Sequence, residues 1–189
     1  MAPRTGRTLP LTALALAAAT ALTLSPTTAT ATTATTPTAD LARASLASRR
    51  YLREQEALTA GYPSDTYCIA NKAGPGALGY PHFNHANDGS LDPERPAALF
   101  YEDDGHGGRR LVALEWMVKD RDGKMETDDD RPSMFGQPFE GPLPSRFPGQ
   151  GVHYSLHLWL WKANPDGRFA THNPRVRCLP GTTRPPKTP

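Results

Sequence analysis

Two histidines, a serine and two tryptophans fall at every second position of one short segment: His153, Ser155, His157, Trp159 and Trp161. In extended chain alternate side chains share a face, so these five would stand in a row. Tyr154, Leu156, Leu158 and Leu160 would take the reverse, which reads as core. A second segment repeats the theme. Val112, Leu114, Trp116 and Val118 share one parity; Leu111, Ala113, Glu115 and Met117 share the other. A carboxylate amid so apolar a run is costly to bury alone, so Glu115 wants a partner. A histidine or a metal ion would serve. His153 and His157 are four positions apart, about 13 Å along a strand, too far to share one ion. A metal site would therefore join one of them to Glu115 and a third ligand. His82, in Gly79-Tyr80-Pro81-His82-Phe83-Asn84, is the candidate. The set His82, Glu115 and His157 has the His/His/carboxylate character that suits zinc or iron. Tyr80, Trp159 and Trp161 could instead line a pocket for a small ligand without a metal. The plainer alternative stays open: Glu115 bonded to His157 or an arginine, with the indoles simply packing.

Other acidic groupings point less sharply to chemistry. Asp120-Arg121-Asp122-Gly123-Lys124-Met125-Glu126 resembles a calcium loop but fails its spacing, with Lys124 where an oxygen ligand is needed and Arg131 in place of the closing Glu. Asp128-Asp129-Asp130 reads as a solvated turn. There is no Gly-x-Ser-x-Gly elbow, no phosphate-cradling glycine loop and no cysteine placed as a nucleophile.

Elements must position these residues. Residues 40–60 are rich in Ala, Leu, Arg and Glu and free of Pro and Gly, which predicts a helix, capped by Thr38 or Asp40 and ended by Gly61. Beyond Pro63 short apolar runs alternate with Asp-Gly turns at 88–89, 104–105, 122–123 and 166–167, the rhythm of an antiparallel sheet. Strands are expected at 66–71, 97–102, 110–119 and 152–162, with a hairpin across 102–110. Residues 125–150, rich in Pro and Gly, read as a long ordered loop carrying Phe135, Phe139 and Phe147. The fold class is α+β: one N-terminal helix followed by a curved antiparallel sheet with long Pro/Gly-rich loops.

The chain ends bear on compartment. Arg4 and Arg7 precede an apolar run from position 9 to 24, and Ala29-Thr30-Ala31 matches a small-x-small cleavage pattern. This is the layout of a secretory signal peptide, cut after Ala31; the run is too short to span a bilayer. Cleavage leaves 158 residues (189 less 31), enough for one domain. Residues 32–39 read as a Thr/Ala-rich disordered leader, 40–178 as the domain and 179–189 as a disordered tail. Losing Arg4 and Arg7 takes Lys+Arg from 21 to 19, equal to Asp+Glu at 19. That neutrality argues against a nucleic-acid partner. An exported chain with two cysteines, Cys68 and Cys178, implies one disulfide across 110 residues.

Several segments occur together in one order: Gly79 to Asn84, Pro96-Ala97-Ala98-Leu99-Phe100-Tyr101-Glu102, Leu114-Glu115-Trp116, Leu156-His157-Leu158-Trp159-Leu160-Trp161 and Asn164-Pro165-Asp166-Gly167-Arg168-Phe169. As a set, over 61–178, they resemble a family of secreted actinobacterial proteins with no assigned activity. The resemblance implies an extracellular single domain and carries no mechanism. Taken together, the expectation is an exported domain that binds a small ligand or a metal. The alternatives are an extracellular hydrolase with Glu115 or His157 as general acid/base, and a structural cell-envelope protein in which Trp159 and Trp161 form an exposed apolar patch.

Overall fold

The first described helix starts about one turn earlier than its Ala/Leu/Arg pattern suggests. Thr36 is the cap, its hydroxyl accepting the Ala39 N–H at 3.3 Å, and Pro37 takes the first helical position, where its missing N–H costs nothing. The computed structural model describes residues 36–147 and 149–183. The expected signal peptide, its expected cleavage after Ala31, and residues 32–35 and 184–189 of the expected leader and tail lie outside the described residues.

Helix α1 (Pro37–Ser48) passes into a 3₁₀ turn (Arg49–Leu52) and then α2 (Glu54–Thr59). The expected single helix over 40–60 is therefore interrupted, and residues 37–39 of the supposed leader are helical. The break has a local cause. Tyr51 is buried, and its carbonyl accepts the Tyr101 hydroxyl at 2.7 Å, a bond that a continued helical ladder would compete with. Arg53 is extended at φ −94°, ψ 110°. Gly61, at φ 87°, ends the helical region as expected.

Eight strands follow: β1 (Ile69–Ala70), β2 (Ala77–Phe83), β3 (Ala98–Asp103), β4 (Arg109–Lys119), β5 (Ser133–Met134), β6 (Gln137–Pro138), β7 (Glu140–Leu143) and β8 (His153–Leu158). Six form one antiparallel sheet in the order β1-β2-β3-β4-β8-β7, strongly curled into a half-barrel; β5 and β6 pair as a separate ribbon. The fold is α+β, mostly sheet. Strand β2 was not among the expected strands. Its Gly79, at φ 99°, lies so close to β3 that a Cβ there would meet the Tyr101 carbonyl oxygen at 2.2 Å, which restricts the position to glycine.

The sheet carries different material on its two faces. On one, Leu99, Leu114, Trp116, Leu156 and Leu158 join Ala44, Tyr51 and Ala57 of the helical region and Phe135 and Phe139 of the 125–150 segment. The other face holds Ala98, Phe100, Val112, Ala113, Trp159 and Val176, beside the Cys68–Cys178 disulfide. A bulge corrects the simple alternation expected for 111–118. Phe100 faces Ala113 but Tyr101 faces Leu111, leaving Val112 as the extra residue. Leu111 consequently packs on the helix side and Val112 opposite, the reverse of their parity. Residues 179–183, expected to belong to a disordered tail, instead continue against the domain, the Cys68 N–H donating to the Thr182 carbonyl at 2.9 Å. Among the described residues, no helix is long and apolar enough to cross a membrane.

Candidate functional site

Strands β4 and β8 are neighbours, and their register decides which side chains meet. Glu115 stands opposite His157, Met117 opposite Ser155, and Lys119 opposite His153. Directly paired residues share a face, so the row His153, Ser155, His157 foreseen from alternation meets Glu115. The row is not at the surface. Glu115 is 0% exposed, His157 and Ser155 1% each, and His153 2%.

One cation reaches this face. Arg146, in the segment joining β7 to β8, donates from Nη2 to Glu115 Oε1 at 3.0 Å and lies 3.1 Å from the Met117 sulfur. Its own side chain is 34% exposed, so it stands between the buried face and solvent. The Arg146 backbone N–H donates to Gln150 Oε1 at 2.7 Å, which ties the turn together. His157 Nε2 approaches the same Glu115 oxygen at 3.4 Å, too long for a good hydrogen bond.

The electrostatics follow from burial and one positive charge. Burial pushes the Glu115 carboxyl up, but Arg146, with the neighbouring imidazoles, overrides it and holds the group below its ordinary value. Burial lowers His157, and Arg146 lowers it further, against the opposing pull of Glu115 and Glu140. His153 is lowered for the same two reasons, desolvation and then Arg146. At neutral pH the buried part of the face therefore holds a carboxylate and two neutral imidazoles, with the Arg146 guanidinium beside them and the exposed Lys119 and Glu140 opposite His153 and Ser155.

A pH dependence of stability follows, with its sign fixed. A buried histidine whose folded value is depressed stabilises the fold while neutral, and that contribution is lost as pH falls below its unfolded value of about 6.5. Glu115, also depressed, adds to the loss only as pH falls below about 4.5, the ordinary glutamate value. Urea unfolding is expected to weaken from pH 7.5 to 5.5 by up to about 1.4 kcal/mol per pH unit for each such histidine. His157→Leu should flatten that slope; an unchanged slope would show that His157 binds protons equally in the folded and unfolded chain.

What distinguishes this face is unmet hydrogen bonding. Glu115 Oε2, His153 Nε2, Ser155 Oγ and both ring nitrogens of His157 are buried and have no hydrogen-bond partner among the described residues. Buried polar atoms are almost always paired, and five orphans on one face need a reason.

The other residues singled out from the sequence lie elsewhere. His82 is aligned with Leu99, which aligns with Leu114 and then Leu158. Ala98, Glu115 and His157 form the adjacent line, and one step along a strand is the opposite face. His82 thus sits on the helix side, its Nε2 2.9 Å from Glu54 Oε1 and its ring 4.4 Å from that of Tyr101. The expected metal set of His82, Glu115 and His157 is not brought together, and among the described residues no group of three His, Cys, Asp or Glu is placed to hold a zinc, iron or other ion.

The three rings do not share a pocket either. Tyr80 donates to Asp103 Oδ2 at 3.0 Å and carries Arg109 over its ring at 3.9 Å. Trp159 packs on the disulfide side and donates to the Ala170 carbonyl. Trp161 packs on the helix side and donates to Ser48 Oγ at 3.3 Å. The parity fails because β8 stops at Leu158; the Trp159 N–H turns away to the Arg168 carbonyl, and the Trp161 N–H returns to β4 at Val112, out of the ladder's register. Trp159 is 3% exposed and Trp161 half-buried, so they make no exposed patch. The acidic loop is occupied with its own turns: Asp120 accepts from Gly123 N–H and the Tyr154 hydroxyl, and Asp122 from Lys124 N–H and Thr127.

Arg146 was not foreseen. The only signal for it is the demand of a buried Glu115 for a counter-charge, and that demand does not choose among the arginines. Compared with protein-family models, curated proteins and solved structures, the chain finds no significant match.

Proposed function

We propose that this chain is an exported binding protein whose site is the polar face of β4 and β8, and that a small polar ligand completes the hydrogen bonding of Glu115, Ser155 and His157. The carrying observation is the five orphaned atoms. A buried donor or acceptor left unpaired costs about 1–3 kcal/mol, so a face selected for stability alone would be apolar or fully paired. Binding sites are where such costs are accepted. Export is supported by the N-terminal signal pattern, by the Cys68–Cys178 bond and by the resemblance to secreted proteins.

The test does not require the ligand. Ser155→Ala removes an orphan hydroxyl with almost no change of volume. On this reading the ligand-free protein is unchanged or gains up to about 1 kcal/mol in urea unfolding. A loss of more than about 1 kcal/mol would mean that the hydroxyl has a structural partner, and the face would be a polar network of the core.

A second reading, hydrolysis, is favoured by one feature: a carboxylate beside a neutral imidazole is a competent acid/base pair. It is the weaker reading, because Ser155 Oγ has no bond to His157 that would activate it.

A further inference from the structure

The hydrogen-bonding sense of each orphan can be worked out, and it selects a ligand class. His153 Nδ1 lies 3.2 Å from the Gly151 carbonyl oxygen. A carbonyl only accepts, so Nδ1 carries the proton and Nε2 presents a lone pair. His157 Nε2 faces the Glu115 carboxylate, which favours the proton on that nitrogen and leaves Nδ1 as a lone pair. Glu115 Oε2 is an acceptor only. Ser155 Oγ both donates and accepts. Of the five orphans, three are acceptors, Ser155 Oγ is adaptable, and His157 Nε2 is a donor turned toward Glu115 Oε1 at 3.4 Å.

From this pattern we infer that the site takes an uncharged, hydroxyl-rich molecule, a polyol or saccharide, whose O–H groups donate to Glu115 Oε2, His157 Nδ1 and His153 Nε2 and exchange hydrogen bonds with Ser155. This rests on the binding reading above and narrows it.

Charge argues the same way. An anion brings acceptors to a face already rich in them, and Arg146, the guanidinium that reaches Glu115, is already engaged. A cation would meet Arg146 as a like charge at the edge of the buried face. An uncharged donor-rich molecule meets neither obstacle. The flanks are also suitable: Phe100, whose ring is 5.8 Å from that of His157, and Met117 supply apolar surface for the C–H face of a sugar.

The experiment is calorimetric titration of the full protein with four probes: maltose and sorbitol as uncharged hydroxylated molecules, inorganic phosphate as an anion, and methylammonium as a cation. The expected result is binding of maltose or sorbitol, weakened at least tenfold by Ser155→Ala and by His157→Leu. Both variants are first checked for a cooperative unfolding transition; if His157→Leu does not fold, His157→Gln takes its place. Binding of phosphate or methylammonium instead, with the same sensitivity to Ser155, would overturn the ligand class and leave the site standing. Binding of maltose or sorbitol untouched by either variant would place the ligand elsewhere and overturn both. Failure of all four probes would overturn the class, while the stability of Ser155→Ala separately decides the site.

Discussion

Arg146→Met is expected to destabilise the protein by about 2–4 kcal/mol at pH 7, although Arg146 is one-third exposed. The reason lies with its partner. Glu115 is fully buried, and Arg146 is the charge that keeps its carboxylate ionised there. Without the guanidinium the carboxylate loses its hydrogen bond and its counter-charge together. Removing one member of a buried pair typically costs about 3–5 kcal/mol, and water reaching past the shorter side chain lowers that somewhat. The pH behaviour separates this cause from lost packing. In the variant, burial acts on Glu115 against only the pull of the His157 and His153 imidazoles, so its folded value is expected to rise above its unfolded one. The carboxyl then folds best protonated. The deficit relative to the native protein should be full at pH 7 and should shrink as pH falls through that raised value toward about 4.5. Glu115→Gln in the Arg146→Met background should restore most of the loss at pH 7, measured by urea unfolding as a double-mutant cycle. A loss under about 0.5 kcal/mol, or one independent of pH, would mean that Glu115 is not held as a carboxylate by Arg146.

Removal of the Cys68–Cys178 bond carries the second large effect. Opening a cross-link across 110 residues restores chain entropy to the unfolded state worth about 4–5 kcal/mol. The folded side adds its own reason. The C-terminal segment has no strand of its own in the main sheet. It is held by scattered backbone bonds: Ala77 with Asn173, Trp159 N–H to Arg168, and Cys68 N–H to Thr182. Val176 and Cys178 then lean on the cluster that includes Trp159 and Phe100. The paired Cys68→Ser and Cys178→Ser variant should therefore lose about 3–5 kcal/mol of urea stability, with protease sensitivity appearing first after residue 163. A loss below about 1 kcal/mol would show that the segment is held by packing alone.

How much of this could be read from the sequence depended on whether a residue's neighbours were local. Residues 153, 155 and 157 share a face because a strand alternates, and that needs no knowledge of the fold. The β3–β4 hairpin was legible because Asp104 binds the N–H groups of His106 and Gly108 within the same short loop. The partnership of Glu115 with His157 was reachable only as a demand, since a buried carboxylate needs a partner. Its answer depended on β4 and β8 being neighbours in register. His82 failed on that same dependence. Its parity within β2 says nothing about which line of the sheet it joins, and a shift of one residue put it on the wrong face. Strand β2 was hidden because Gly79 and Pro81 dilute its apolar pattern. The parity of Trp159 and Trp161 was trusted beyond the last ladder bond. Arg146 comes from a Pro/Gly-rich segment with no periodicity, and long-range charge pairing leaves no mark in sequence spacing.

The central claim is that the orphaned atoms of this face await a ligand. A high-resolution crystal structure grown with the best-binding hydroxylated probe tests it directly. The account predicts that molecule on the β4–β8 face, within hydrogen-bond distance of Glu115 Oε2, Ser155 Oγ and a ring nitrogen of His157, with the Arg146–Glu115 bond retained. A face in which each of those atoms is paired to another protein group, with the probe bound elsewhere or not at all, would contradict it.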